Sequence, residues 1–311
     1  MVIPRCASFI ITTRIKQKIK VKNKYSIPIN IVTFYSCRKE INCKILSVYG
    51  GNKEKNMDET ENTPQASQIS QSEKLLYSQF RRKINAEAAR SQIKKLEYDL
   101  ATVKAGLNSL KSACADANSL GLGAVCVLPC FVKNCSVFLG AERKCGLVAC
   151  ISSPHGGDAT DIKVKAVKRA LNDGADEVEV TAPVAHIRDN NFSYVKKEFK
   201  KLRRAVKHKS LRIDLESNLL SHDQVLRVCN LAADCGVNSL KTSSSALSGG
   251  NEIERVNEIK SAVKDKCTIK AEGVATVLEM SSAIDMGASV IGSKNAADVA
   301  RAILAAAETD F

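Results

Sequence analysis

Residues 221–241 read SHDQVLRVCNLAADCGVNSLK, and this run decides the fold. Its first part has the three- and four-residue apolar spacing of a helix over Ser221–Cys235. Gly236 follows directly, where a helix needs a left-handed cap. A short apolar strand, 238–243, then ends in Lys241 and small hydroxyl residues. Lysine is costly to bury, so a strand that carries one inward usually uses it.

The same unit repeats along the chain. Apolar strands are expected at 124–129, 146–153, 177–182, 210–216, 238–243, 267–271 and 289–292. Helices are expected over Thr160–Asp173, Phe192–Lys207, Ser221–Cys235, Glu252–Asp265 and Val277–Met286, with Gly174, Gly236 and Gly287 as stops. Strands alternating with helices imply parallel strands and helical crossovers. No G-x-G-x-x-G follows a first strand, so a dinucleotide fold is unsupported. The expected class is α/β, a parallel (β/α)8 TIM-type barrel with its chemistry at the C-terminal strand ends. One strand of the eight is missing from this pattern. Before the first strand, apolar residues at 93, 96, 100, 103, 107, 110 and 114 predict one amphipathic helix from Ile93 to Cys114.

The chain of 311 residues carries a net charge of +14. Residues 1–56 hold 12 Lys/Arg and only 2 Asp/Glu, leaving 35 basic and 31 acidic residues for the rest. The basic character therefore belongs to a leader, and a general nucleic-acid role for the nearly neutral body is rejected. Three parts follow: a basic, transit-like leader at 1–56, a polar extension at 57–92 and a barrel at 93–311. Met57 opens an ordinary acidic start, so the leader also reads as upstream sequence that is not translated; if it is translated, organelle import becomes an option. Residues 58–72 have a disordered composition. No apolar run is long enough to span a membrane. The 12 cysteines sit mostly in apolar runs. Cys126, Cys130, Cys135, Cys145 and Cys150 form no C-x-x-C pair, so neither a disulfide framework nor a metal site is expected. A reducing, cytoplasmic setting fits.

Chemistry is concentrated at the strand ends. A second lysine-bearing strand, Cys267-Thr268-Ile269-Lys270-Ala271-Glu272-Gly273, follows the first. Glu177 and Glu179 share one strand face, as do Arg212, Asp214 and Glu216. Charges on core strands are tolerated only where they meet in one polar centre. Two lysines among acids suit imine chemistry, with Lys270 expected to lower the pKa of Lys241 and a carboxylate to move protons. An internal ion-pair layer without catalysis is the bland alternative. His155, in the turn S-P-H-G, is expected to stabilise that turn, and no acidic partner is evident for His222.

The motifs V-N-S-L-K-T-S-S-S-A, A-V-C-V-L-P (124–129), S-P-H-G (153–156), G-A-D-E-V-E-V (174–180), R-I-D-L-E-S (212–217) and A-S-V-I-G-S (288–293) together resemble the deoxyribose-phosphate aldolases, from about Glu97 to Ala305. That resemblance implies a class I aldolase barrel that needs no metal or other cofactor. It also implies cleavage of 2-deoxyribose 5-phosphate to glyceraldehyde 3-phosphate and acetaldehyde, a step of deoxyribonucleotide catabolism. By position Lys241 matches the Schiff-base lysine, Lys270 the lysine that tunes it, and Glu179 the proton-relay acid. Cys126, Arg212, Ser243, Gly273, Gly292, Ser293 and Lys294 fall at substrate-binding positions. The family's first-strand aspartate corresponds to Glu97 or Asp99.

Several departures bear on the phosphate pocket. The glycine of the family's K-T-S-T-G is Ser245 here, and K-x-x-G-G-V-R-T becomes Lys270-Ala271-Glu272-Gly273-Val274-Ala275-Thr276. Glycine turns let backbone N–H groups approach phosphate closely, and Glu272 opposes an anion by charge. Lys294 restores some positive charge. The expected partner is a small phosphorylated sugar or aldehyde, and a homo-oligomer is an option that the sequence leaves open. The alternative is a degenerate barrel that binds another protein.

Overall fold

The computed structural model describes residues 85–244, 246–247 and 253–308. The leader, most of the extension and Ser245 lie outside the described residues. The expected barrel is present, with its eight strands in sequence order: β1 (Leu96–Leu100), β2 (Ala124–Val127), β3 (Gly146–Ile151), β4 (Glu177–Thr181), β5 (Ser210–Asp214), β6 (Ser239–Lys241), β7 (Thr268–Ala271) and β8 (Val290–Ser293). Every neighbouring pair is parallel, and β8 closes on β1 with Glu97 beside Gly292. The connecting helices are α1 (Leu107–Leu120), α2 (Val132–Leu139), α3 (Thr160–Asn172), α4 (Val184–Arg188), α5 (Phe192–Val206), α6 (His222–Asp234), α7 (Ile253–Val263), α8 (Val277–Asp285) and α9 (Ala296–Glu308).

The single helix expected from Ile93 to Cys114 is wrong. Residues 85–93 are helical, β1 follows, and α1 begins only at Leu107. The apparent period joined residues from three elements. Ile93 and Leu96 pack in the core, as do Leu110 and Cys114 of α1, whereas Val103 is 94% exposed. The alternation in β1 is masked because its polar residues, Glu97 and Asp99, are the ones turned inside the barrel. This segment supplies the missing eighth strand.

Local signals set the helix ends elsewhere. Ser221 caps α6 by accepting the Gln224 N–H, and the Gln224 side chain returns a bond to the Ser221 N–H. Thr276 and Glu279 cap α8 in the same way. Gly236 has φ +77, the left-handed conformation expected after α6.

The strand alternation divides the interior in two. Outward residues such as Val125, Leu147, Val178, Ile213, Leu240, Ile269 and Ile291 join the helices in one buried apolar layer. Each such side chain contributes about 1.5–3 kcal/mol relative to exposure. Inward residues make a second, largely charged centre, with only Ala124, Cys126, Val148 and Cys150 as an apolar patch. Among the described residues no helix is long and apolar enough to cross a membrane.

One buried ion pair lies outside the barrel yet steadies β4. Lys163 of α3 donates to Glu198 of α5 at 2.8 Å and to the Thr181 carbonyl at the end of β4 at 2.9 Å. Both side chains are fully buried. Removing one charge strands the other, so Lys163→Ala is expected to cost about 3–5 kcal/mol in urea unfolding. Pairing Lys163→Met with Glu198→Leu should recover most of that loss.

Candidate active site

In eight-stranded barrels the inward side chains stack in layers drawn from alternate strands. Here the strand register gives three around the lysines, above the floor residues Ala124, Glu177 and Ser239. The lowest holds Glu97, Val148, Arg212 and Lys270, from the odd strands. The middle holds Cys126, Glu179, Lys241 and Gly292, from the even strands. The top, nearest the C-terminal strand ends, holds Asp99, Cys150 and Asp214, with Glu272 just past β7. The residues of these three layers are all buried.

Glu179 is the hub. One carboxylate oxygen accepts from Lys241 at 2.7 Å; the other accepts from Arg212 at 3.0 Å and Lys270 at 3.1 Å. Arg212 also donates to both oxygens of Glu97, at 3.0 and 2.9 Å, and lies 3.5 Å from Glu177. Lys270 donates to Glu97 as well. From above, the Glu272 carboxylate stands 3.1 Å from the Lys270 Nζ and 3.4 Å from the Lys241 Nζ. Asp214 stands 3.6 Å from Lys241.

These neighbours decide the protonation states. Burial alone would lower the pKa of Lys241, but Glu179, Glu272 and Asp214 outweigh it and hold the amine well above its ordinary range. Burial and the charge of Lys241 both act to lower the pKa of Lys270, yet Glu179, Glu272 and Glu97 outweigh them and hold it well above its ordinary range. The expected lowering of Lys241 by Lys270 is therefore absent from the resting site, because carboxylates outnumber amines around both. Burial would raise Glu179, but Lys241, Lys270 and Arg212 keep it well below the usual carboxylate range. In the top layer the balance reverses. Burial raises Asp214 well above its ordinary value despite Lys241. Burial and then Glu272 push Asp99 up to about 6.

The described residues expected to bind substrate are mostly turned toward the protein itself. Arg212 is committed to Glu97, Glu179 and Glu177, in the layer of Lys270 and below Lys241. Gly273, with φ +81, donates its N–H to Glu272 Oε1 at 3.3 Å. Gly292 lies directly under the same carboxylate, and a Cβ there would collide with it. The Ser244 N–H donates to Glu216 at 3.0 Å. Ser293 is buried and accepts the Asn295 N–H, Ser243 is buried, and Lys294 is exposed. Cys126 is turned into the barrel, in its middle layer.

Cys150 is a site residue that the sequence motifs do not single out. Its thiol points to Glu179 at 3.7 Å, and alternation from Val148 is the signal that would reveal its inward face. Its hydrogen bond and burial raise the Cys126 thiol well above the ordinary range. The ligand atoms of Cys126, Cys150 and Glu179 lie within 4.8 Å of one another. A divalent cation does not fit there, since Glu179 is already saturated by three cationic side chains. The nine described cysteines are all free. His155 is exposed and makes no hydrogen bond among the described residues; the Gly156 N–H to Ser152 bond and the Ser152–Asp158 bond hold its turn instead. His222, for which no acidic partner is evident in the sequence, meets Glu258 at 2.6 Å.

A family model described as DeoC/LacD family aldolase matches residues 85–280. The chain belongs to this aldolase family. Curated relatives include a deoxyribose-phosphate aldolase of Mycoplasma capricolum, 26% identical over 66% of this chain and 93% of that protein. Another, from Finegoldia magna, is 29% identical over 65% of this chain and 95% of that protein. Among solved structures, one described as QR15, an aldolase, superposes with TM-score 0.65 at 24% identity, covering 68% of this chain and 96% of that one. A tetrameric deoxyribose phosphate aldolase from Aeropyrum pernix gives TM-score 0.65 at 17% identity over 72% and 95%. These two likenesses support the fold. The named relatives are carbon–carbon lyases.

The raised pKa of Asp99 carries a sign that can be measured. Its folded value lies above the ordinary 3.8, so its contribution to stability is full below about pH 4 and is lost as pH rises through about 6. Asp99→Asn removes this loss and keeps an acceptor for the Ala101 N–H. The variant should be more stable than the parent at pH 8 by up to about 3 kcal/mol, with the gap closing near pH 4. Urea unfolding at both pH values reads the difference.

Proposed function

We propose that this chain is a class I aldolase whose Lys241 forms an imine with a 2-deoxy aldose, the substrate type for which its relatives are named. The reference reaction is cleavage of 2-deoxyribose 5-phosphate to glyceraldehyde 3-phosphate and acetaldehyde. The observation that carries the reading is the Lys241–Glu179–Lys270 cluster, buried at the C-terminal end of β6 and β7.

The steps follow from that cluster. Neutral Lys241 attacks the aldehyde carbon, and the carbinolamine hydroxyl takes a proton from a top-layer acid and leaves as water, giving an iminium ion. Deprotonation of the hydroxyl at C3 lets the C2–C3 bond break, and its electron pair becomes the enamine. Proton return to C2, through Glu179 and a water, restores the iminium, and hydrolysis releases acetaldehyde and the free amine. Lys270 keeps the Glu179 carboxylate ionised at rest and disfavours a charged Lys241 whenever a top-layer acid is neutral or displaced. The free thiols fit a reducing, cytoplasmic setting.

A second reading rests on the same cluster. With three carboxylates within 4 Å of the Lys241 Nζ, the resting amine is protonated, as it would be in a degenerate barrel kept for binding. Borohydride trapping with acetaldehyde separates the two. The aldolase reading expects one ethyl group on Lys241, absent in Lys241→Arg, at a rate that climbs with pH. Glu272→Gln removes a carboxylate, so trapping at pH 8 should speed up about tenfold for each unit by which the amine's pKa falls. No adduct at any pH would leave the binding reading.

A further inference from the structure

Any molecule approaching Lys241 from the C-terminal face must pass the top layer of the barrel. That layer is acidic: Asp99, Asp214 and Glu272 surround the opening with the thiol of Cys150, and all four side chains are at least nine-tenths buried. Glu272 comes closest, since its carboxylate spans both amines, covers Gly292 and takes the Gly273 N–H. On the β6 side, Glu216 takes the Ser244 N–H. Two backbone donors that could have held a substrate anion are thus occupied by carboxylates of the chain itself.

A second observation points to the kind of ligand. Among the described residues Asp214 Oδ2 and Glu272 Oε2 are fully buried and meet only ammonium groups, Glu272 Oε2 at 3.1 Å from Lys270 and 3.4 Å from Lys241, and Asp214 Oδ2 at 3.6 Å from Lys241. A carboxylate oxygen carries two lone pairs, so each can still accept from a neutral donor. A phosphate would bring up to two charges against the Glu272 carboxylate in a medium that screens poorly, whereas a sugar hydroxyl would bring a further donor.

We propose that this site selects an uncharged, hydroxyl-bearing 2-deoxy aldose over its phosphate ester, with Glu272 as the specificity-determining residue and Asp214 as its partner. The proposal rests on the aldolase reading for its reaction but not for its selectivity, which is a property of binding. Glu272 disfavours the ester twice, by its charge and by holding the Gly273 N–H. Asp214 offers the remaining lone pair of Oδ2 to a hydroxyl of the same sugar.

The test uses the full chain and two probes, 2-deoxyribose and 2-deoxyribose 5-phosphate, with binding measured calorimetrically to the parent, Glu272→Gln and Asp214→Asn. The parent should prefer the neutral sugar at least about tenfold, and Glu272→Gln should reduce or reverse that ratio by a similar factor. Asp214→Asn should weaken the neutral sugar more than the ester. The proposal is overturned if the parent binds the ester as tightly as the sugar, if it binds neither, or if Glu272→Gln leaves the ratio unchanged. Borohydride trapping on the same samples reads the chemistry separately. Selectivity without an adduct sustains the specificity and sinks the lyase; an adduct without selectivity does the reverse.

Discussion

Charge compensation inside the barrel governs everything else about this protein. Arg212, Lys241 and Lys270 are almost wholly removed from water. Leaving such a cation unpaired costs several kcal/mol even after the protein relaxes around it. Each is therefore met by carboxylates from other strands: Glu97 from β1, Glu179 from β4, Asp214 from β5 and Glu272 just after β7. These pairs tie β1 and β4 to β5, β6 and β7 across the interior. A slip of one residue in any of them would turn its charges into the apolar layer under the helices and bring leucines and valines inside. The polar centre thus specifies register, and the apolar layer supplies most of the binding of helices to sheet.

This division explains what could be read from the sequence. Strands β2 to β8 were legible because their outward residues make apolar runs, and capping residues such as Ser221, Thr276 and Gly236 marked the helix ends. Lys241, Lys270 and Glu179 were legible because a lysine or glutamate within such a run is too costly to bury without an opposite charge beside it. β1 was not, since Glu97 and Asp99 alternate with Leu96, Tyr98 and Leu100 and its flanks happen to continue a helical spacing. Only closure of the barrel distinguishes them. The protonation of the lysines was also beyond the sequence. The sign of the shift depends on how many carboxylates lie within about 4 Å of each amine, and at such separations every added charge is a strong term. Glu272 and Asp214 come from different strands, and neither is near Lys241 in the chain.

The vertical order of the layers gives the site its chemical character. The lowest layer pairs its charges closely, with Glu97 between Arg212 and Lys270. The middle layer holds the Lys241–Glu179 pair. The top layer has acids and no cation of its own, so Asp99 and Asp214 rise toward neutrality while Glu179 below is held ionised. Protons therefore reside at the opening and negative charge below it. Such a gradient separates groups able to donate a proton from a group able to accept one, over the length of two or three side chains.

Reactivity and stability then make opposite demands on one residue. A carboxylate at Glu272 steadies two buried ammonium groups, which favours the folded state. The same carboxylate keeps Lys241 protonated, which opposes attack on a carbonyl. A bound neutral sugar resolves the conflict if its hydroxyls draw the Glu272 carboxylate into hydrogen bonds away from the amines. Lys241 would then lose one of the three carboxylates that hold its proton, and that proton would have Glu179 at 2.7 Å as the nearest acceptor. A phosphate ester performs that exchange less well, because it carries charge that repels the carboxylate where the neutral sugar has a 5-hydroxyl to donate. Substrate choice and activation of the lysine then become one event, governed by where a single carboxylate goes.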